Sequence, residues 1–261
     1  MGDNQRLNEE VVSAFLAFDS SLAPVYDVTR ASLIEKCLDL YSYSLGDVFQ
    51  LTLLEQAYEI YSRHDKPLDA ARCAYSIASI HDDNDNCPDV LVWTDRIING
   101  GADYSTIVSA YQLQVNCLTS VKRLEGALVS LASYLEFINK YGSGSPGDLV
   151  IHYLIKAAVC YEQERLNESL ACYAEALRHL KEDSPHRPFI MYNTGAVLAR
   201  RGFPEEAKLL MEGARSMWRS IDYRNSFPSY ALDLDVLSAS DTAKANDECP
   251  EPIGYWCFIQ R

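Results

Sequence analysis

The chain has 261 residues, 48% of them hydrophobic and 23% charged, an ordinary globular balance that excludes wholesale disorder. Its net charge of −14 argues against nucleic acid or an anionic membrane as a direct ligand, because phosphate groups demand clustered Lys and Arg. No apolar run reaches the ~20 residues of a membrane-spanning helix. Met1 to Arg6 lack the apolar core of a signal peptide, and Arg6 stands where a myristoylation signal wants Ser or Thr. The expectation is a soluble, cytoplasmic protein, with the nucleus left open.

The charge is unevenly spread. Residues 1–149 hold 10 Lys and Arg against 21 Asp and Glu, residues 150–225 hold 11 against 10, and the remainder holds 2 against 6. A partner with a basic surface suits the acidic half, since complementary potential steers encounter. The eight cysteines are Cys37, Cys73, Cys87, Cys117, Cys160, Cys172, Cys249 and Cys257. None is spaced C-x-x-C, and most fall among small or apolar residues of expected helices. They are read as reduced thiols that pack as small hydrophobes.

In chain order, an amphipathic helix is expected over 8–22, closed by Pro24, and a second over 28–43 with Leu33, Ile34, Cys37, Leu38 and Tyr41 on one stripe. Residues 1–46 would cap the helical array. A helix over 48–63 carries Leu51, Leu54, Ala57, Tyr58 and Tyr61. After the turn at His64-Asp65-Lys66, Pro67 opens another helix, where its missing N–H costs nothing. His81 to Pro88 reads as a polar loop and 90–98 as a short helix ended by Gly100-Gly101, so the regular pattern is expected to break over 81–104. It resumes with one helix from Thr106 and a second carrying Leu124, Ala127, Leu128, Leu131 and Leu135. A flexible turn is expected at 142–147.

Two helix–turn–helix units then share one plan. In the first, Val150, Leu154, Ala157 and Tyr161 precede a polar turn and then Leu166, Ser169, Tyr173 and Leu177. In the second, Ile190, Gly195 and Leu198 precede a turn at Arg201-Gly202-Phe203 and then Ala207, Leu210 and Ala214. Ser169 and Ala207 are 38 residues apart, and Ala127 and Ser169 are 42 apart, periods within the range of helical arrays. One such pair cannot bury its apolar face alone, so it needs a neighbour. Repeats are expected over 47–225. Residues 226–261 read as an acidic tail ending in an aromatic segment. There Tyr255, Trp256 and Phe258 either fold back as a cap or dock elsewhere.

The small residues at Ala157, Ser169, Gly195, Ala207 and Ala214, with Tyr161, Tyr173 and Ala176-Leu177, resemble the tetratricopeptide (TPR) repeat. The unit lacks the tryptophan often found early in its first helix. The resemblance implies an all-α, TPR-like solenoid of antiparallel helix pairs, a right-handed superhelix with a groove lined by the first helices. The groove residues it implies are Gln56, Gln112, Gln114, Asn116, His152, Lys156, Tyr192, Asn193 and Arg200. Asn116, Lys156 and Asn193 do not fall at matching places in successive units, which argues against a carboxylate clamp.

No catalytic, metal or cofactor site is expected. Gly142, Gly144 and Gly147 match a dinucleotide fingerprint on paper but lack the βαβ setting it needs. A calcium loop starting at Asp82 would need glycine and glutamate where Cys87 and Trp93 stand. The five histidines show no ligand spacing. The expected role is a non-catalytic scaffold or adaptor within a multiprotein complex. The alternatives are a transient peptide receptor of the co-chaperone type, or an enzyme regulator.

Overall fold

The computed structural model describes residues 27–41, 45–142, 146–182, 184 and 186–220, and all its regular structure there is helical. The elements are α1 (Asp27–Tyr41), α2 (Asp47–Arg63), α3 (Pro67–Asp83), α4 (Cys87–Asn99), α5 (Tyr104–Ser120), α6 (Leu124–Tyr141), α7 (Pro146–Glu162), α8 (Leu166–His179), α9 (Arg187–Arg200) and α10 (Pro204–Ser220). The helix expected over 8–22, the tail 226–261 with Tyr255, Trp256 and Phe258, and Cys249 and Cys257 lie outside the described residues. The chain forms two compact units, Met1–Val121 and Lys122–Arg261. In the first, α1 packs on α2, α2 on α3, α3 on α4 and α4 on α5, and α3 also reaches α5. In the second, α6 packs on α7, α7 on α8, α8 on α9 and α9 on α10.

One turn is used repeatedly. Three residues join α2 to α3, α3 to α4, α7 to α8 and α9 to α10. The middle residue is left-handed each time: Asp65 (φ 53°), Asp85 (φ 55°), Glu164 (φ 60°) and Gly202 (φ 90°). The third residue donates its N–H five residues back, as Lys66 to Tyr61, Asn86 to His81, Arg165 to Cys160 and Phe203 to Leu198, at 2.8–2.9 Å. This is the Schellman closure, which satisfies carbonyls that a helix end leaves orphaned. Lys122 takes the same left-handed backbone, with φ 58°.

The fourth residue of the helix after the turn is small or β-branched and buried: Ala70, Val90, Ala127, Ser169 and Ala207. Close approach of the paired helix leaves no room for more. A Cβ on Gly195 of α9 would stand 2.7 Å from Met211 Cγ and 3.0 Å from the Ala207 carbonyl oxygen. Ser169 fits the same slot because its hydroxyl donates to the Ala157 carbonyl at 2.9 Å, so the polar atom is not left bare in the core.

Two expectations need correction. The polar loop over 81–88 contracts to Asn84-Asp85-Asn86, since α3 runs on to Asp83 and α4 begins at Cys87. Pro88 belongs to the first turn of α4, where proline is preorganised. The reading of all cysteines as free thiols also fails. Cys87 and Cys117 form a disulfide with Cα atoms 5.3 Å apart, because the first turn of α4 lies against the last turn of α5. Cys37, Cys73, Cys160 and Cys172 are free, and burial pushes the Cys73 thiol up to about 12.

Candidate interaction surface

Side-chain bonds tie each helix hairpin to its neighbour at close to the repeat spacing. In the first unit His64 and Arg63 meet Asp27, at 3.3 and 3.9 Å. Arg72 meets Glu35, Asn84 donates to Asp47 and Asn116 donates to Asp82. In the second, Lys122 pairs with Glu162, Gln163 donates to Glu125 and Arg200 pairs with Glu164. Equivalent positions one hairpin apart face each other, so polar residues at the turns find partners by repetition. Pairs this exposed stabilise by about 0–1 kcal/mol each. They set register more than stability. Asp82 and Asn84, from the calcium-like run, are among the groups used this way, and the Asn86 side chain donates to Asp89 in the first turn of α4.

Most of the implied groove residues point inward. His152 and Asn193 are 1% exposed, and Gln112, Gln114 and Tyr192 are also buried. Asn193 hydrogen-bonds the Tyr173 hydroxyl, Gln114 donates to Asp95 at 2.7 Å, and Gln56 accepts from Arg30 at 3.3 Å. A polar side chain on a helix packed on both sides is core, whatever its chemistry, and the helical period alone does not distinguish a groove from an interior. Lys156 is half-buried, and Arg200 is exposed with its guanidinium 4.6 Å from the Tyr161 ring centre.

The first unit holds a feature that the groove reading missed. A cleft of about 190 Å³ opens where α2, α3 and α4 meet, walled by Tyr58, Lys66 and Arg96 over a floor of Ala70, Ala71 and Ala74. Tyr58 and Trp93 meet edge to face with ring centres 5.0 Å apart. The Arg96 guanidinium carbon lies 4.1 Å from the Trp93 ring centre and 5.6 Å from that of Tyr58. The sequence signals were the i, i+3 pair Trp93 and Arg96 and the alanines at helical spacing in α3.

Large apolar side chains also face solvent on this unit: Leu40 is 74% exposed and Val48 81%. Among the described residues no helix is long and apolar enough to cross a membrane.

No family model matches the chain, and no curated protein does. Solved structures share its architecture, two among them at low identity to it. One is MamA, residues 41 to the end, from Desulfovibrio magneticus RS-1. It is 14% identical, with a TM-score of 0.52, over 85% of this chain and 99% of that one. The other is BtubC (BKLC) from P. vanneervenii, 11% identical with a TM-score of 0.51, over 89% and 98%. With helix following helix through one repeated turn and small residues at the crossings, the chain has the TPR-like helical repeat fold, an all-α solenoid of antiparallel helix pairs.

Proposed function

We propose that this chain is a non-catalytic protein-interaction scaffold or adaptor, a subunit of a larger complex, whose acidic first unit meets a basic surface on its partner. The observation that carries this reading is the charge of that unit: residues 27–121 hold 6 Lys and Arg against 14 Asp and Glu. Glu55, Glu59, Asp83 and Asp85 all lie exposed on it. A repeat fold offers a long side-chain surface without needing a closed active site, and exposed Leu40 and Val48 supply apolar contact beside the charge.

The peptide-receptor alternative relied on Lys156 acting with Asn193, and burial of Asn193 against Tyr173 withdraws one of the two. The test is affinity purification of the full chain from its native source, followed by co-elution on size exclusion. It is repeated with Glu55, Glu59, Asp83 and Asp85 all changed to Lys. The reading expects a stoichiometric protein partner that the charge-reversed chain loses. A partner retained equally by both chains contradicts it.

A further inference from the structure

We infer that Cys160 and Cys172, where α7 and α8 cross, form a two-electron thiol site that a hydroperoxide closes to a reversible disulfide. The register of the hairpin brings the two together. The Ser169 hydroxyl donates to the Ala157 carbonyl at 2.9 Å, which fixes the level at which the helices touch. Cys160 stands three residues beyond Ala157, and Cys172 three beyond Ser169. A helical side chain leans toward the N-terminus of its own helix, and these two helices run in opposite directions. Each sulfur therefore leans back to the contact level from its own side. There the two thiols hydrogen-bond one another, both buried, with small Ala157 and Ser169 leaving them room.

The pair divides its protons unequally. The hydrogen bond with Cys172 is the main cause that holds the Cys160 pKa below the ordinary thiol value, and Arg165 and Lys156 add to it against burial and Glu168. The same hydrogen bond, with burial, raises that of Cys172. One sulfur is held toward thiolate, the nucleophilic form, while its neighbour keeps the proton. Cys73 is the contrast, a buried thiol pushed up to about 12 and so kept protonated. Cys37, on α1, is less buried than any of these.

Cys160 is 0% exposed and Cys172 7%, which selects a small oxidant such as hydrogen peroxide. The Cys160 thiolate attacks one peroxide oxygen, the O–O bond breaks, and the departing hydroxide takes a proton to become water. The Cys172 sulfur then attacks the Cys160 sulfenic acid, the S–O bond breaks, and the Cys172 proton leaves with the hydroxyl as a second water. Two thiols are oxidised to one disulfide, and one peroxide is reduced to two waters. The product ties α7 to α8 covalently. This site stands apart from the protein-interaction reading and needs no partner to be tested.

Trypsin cuts after Lys156, Arg165 and Arg178, so the two cysteines leave on separate peptides that only a bridge joins. The native full chain is treated with hydrogen peroxide, stopped with catalase at intervals, unfolded, alkylated with N-ethylmaleimide and mapped by mass spectrometry. The expected product is the linked pair of peptides, lighter by two hydrogens than its free parts and reopened by dithiothreitol. It should form about tenfold or more faster than the thiols of Cys37 and Cys73 are lost, since neither shares this activation. In urea, where the hairpin is open, that preference should vanish. In Cys172→Ala, oxidation of Cys160 should slow by about tenfold, having lost the hydrogen bond that favours thiolate, and stop at a sulfenic acid that dimedone traps. No linked pair, loss of Cys37 at an equal rate, a preference that survives urea, or parental reactivity of Cys160 in a folded Cys172→Ala overturns the inference.

Discussion

His152 sits on α7, 1% exposed, with its ring 5.7 Å from that of Tyr134 and 5.2 Å from that of Tyr153. Neither ring nitrogen has a hydrogen-bond partner among the described residues. Burial first, and the nearby Lys156 second, hold its pKa down to about 4 from 6.5. The folded state therefore refuses a proton that the unfolded chain accepts. As pH falls from about 6.5 to about 4, the unfolded state binds more protons and stability is lost. At 1.36 kcal/mol per pKa unit the loss is about 3 kcal/mol. His152→Leu removes the titration and also the two unpartnered nitrogens, each of which costs on the order of 1 kcal/mol or more. Urea unfolding at pH 7, 5.5 and 4 should show the variant at least as stable as the parent at pH 7. The gap should widen by about 3 kcal/mol at pH 4. His186, also held down by burial, titrates in both proteins and cancels in the difference. Parallel loss in the two proteins, or a variant weaker by more than about 2 kcal/mol at pH 7, would refute the reasoning.

Gly195→Ala should destabilise the chain by about 1–3 kcal/mol in chemical denaturation, because the Ala207 backbone cannot yield to the new methyl. Gly213→Ala, whose methyl meets only the end of Met191 at 3.3 Å, should instead stabilise by up to about 1 kcal/mol through helix propensity. Lys122→Gly relieves a left-handed backbone worth about 1 kcal/mol and loses an exposed ion pair worth less, so its midpoint should rise. Reducing the Cys87–Cys117 bridge, which spans 30 residues, should cost about 3.5 kcal/mol by loop entropy. That cost is read as a lower melting temperature in dithiothreitol and is absent in Cys87→Ala.

The helices of the second unit were legible because their small residues fall on one plan: Ala127, Ser169 and Ala207 all occupy the same buried slot, as their spacing implied. The stretch 81–88 was not. Its run of Asp and Asn has the composition of a loop, yet Asp82 and Asp83 finish α3, where Asp82 accepts from Asn116 and Asn84 just beyond donates to Asp47, a tertiary gain that local propensity does not record. The same holds for the disulfide, which depends on how α4 and α5 lie together and on nothing in the cysteine spacing. That bridge also weakens the cytoplasmic expectation, since such bonds persist in oxidising compartments. Burial of most of the expected groove residues was hidden for a plainer reason. Gln112, His152 and Asn193 are polar residues on helices with partners on more than one side, and helical periodicity cannot tell a concave surface from a core. The cleft was missed because its parts are distant in sequence, and only the meeting of α2 with α4 brings Tyr58 beside Arg96.

The claim beneath the functional reading is that negative charge on the first unit holds the partner. Its most direct measurement is the dissociation constant of the co-purified complex across added salt, from about 50 mM to about 500 mM, where exposed charges pass from weakly to strongly screened. The scaffold account predicts that affinity falls by tenfold or more over that range for the natural chain. Affinity that is flat with salt, or that is kept when Glu55, Glu59, Asp83 and Asp85 are reversed to Lys, would contradict it.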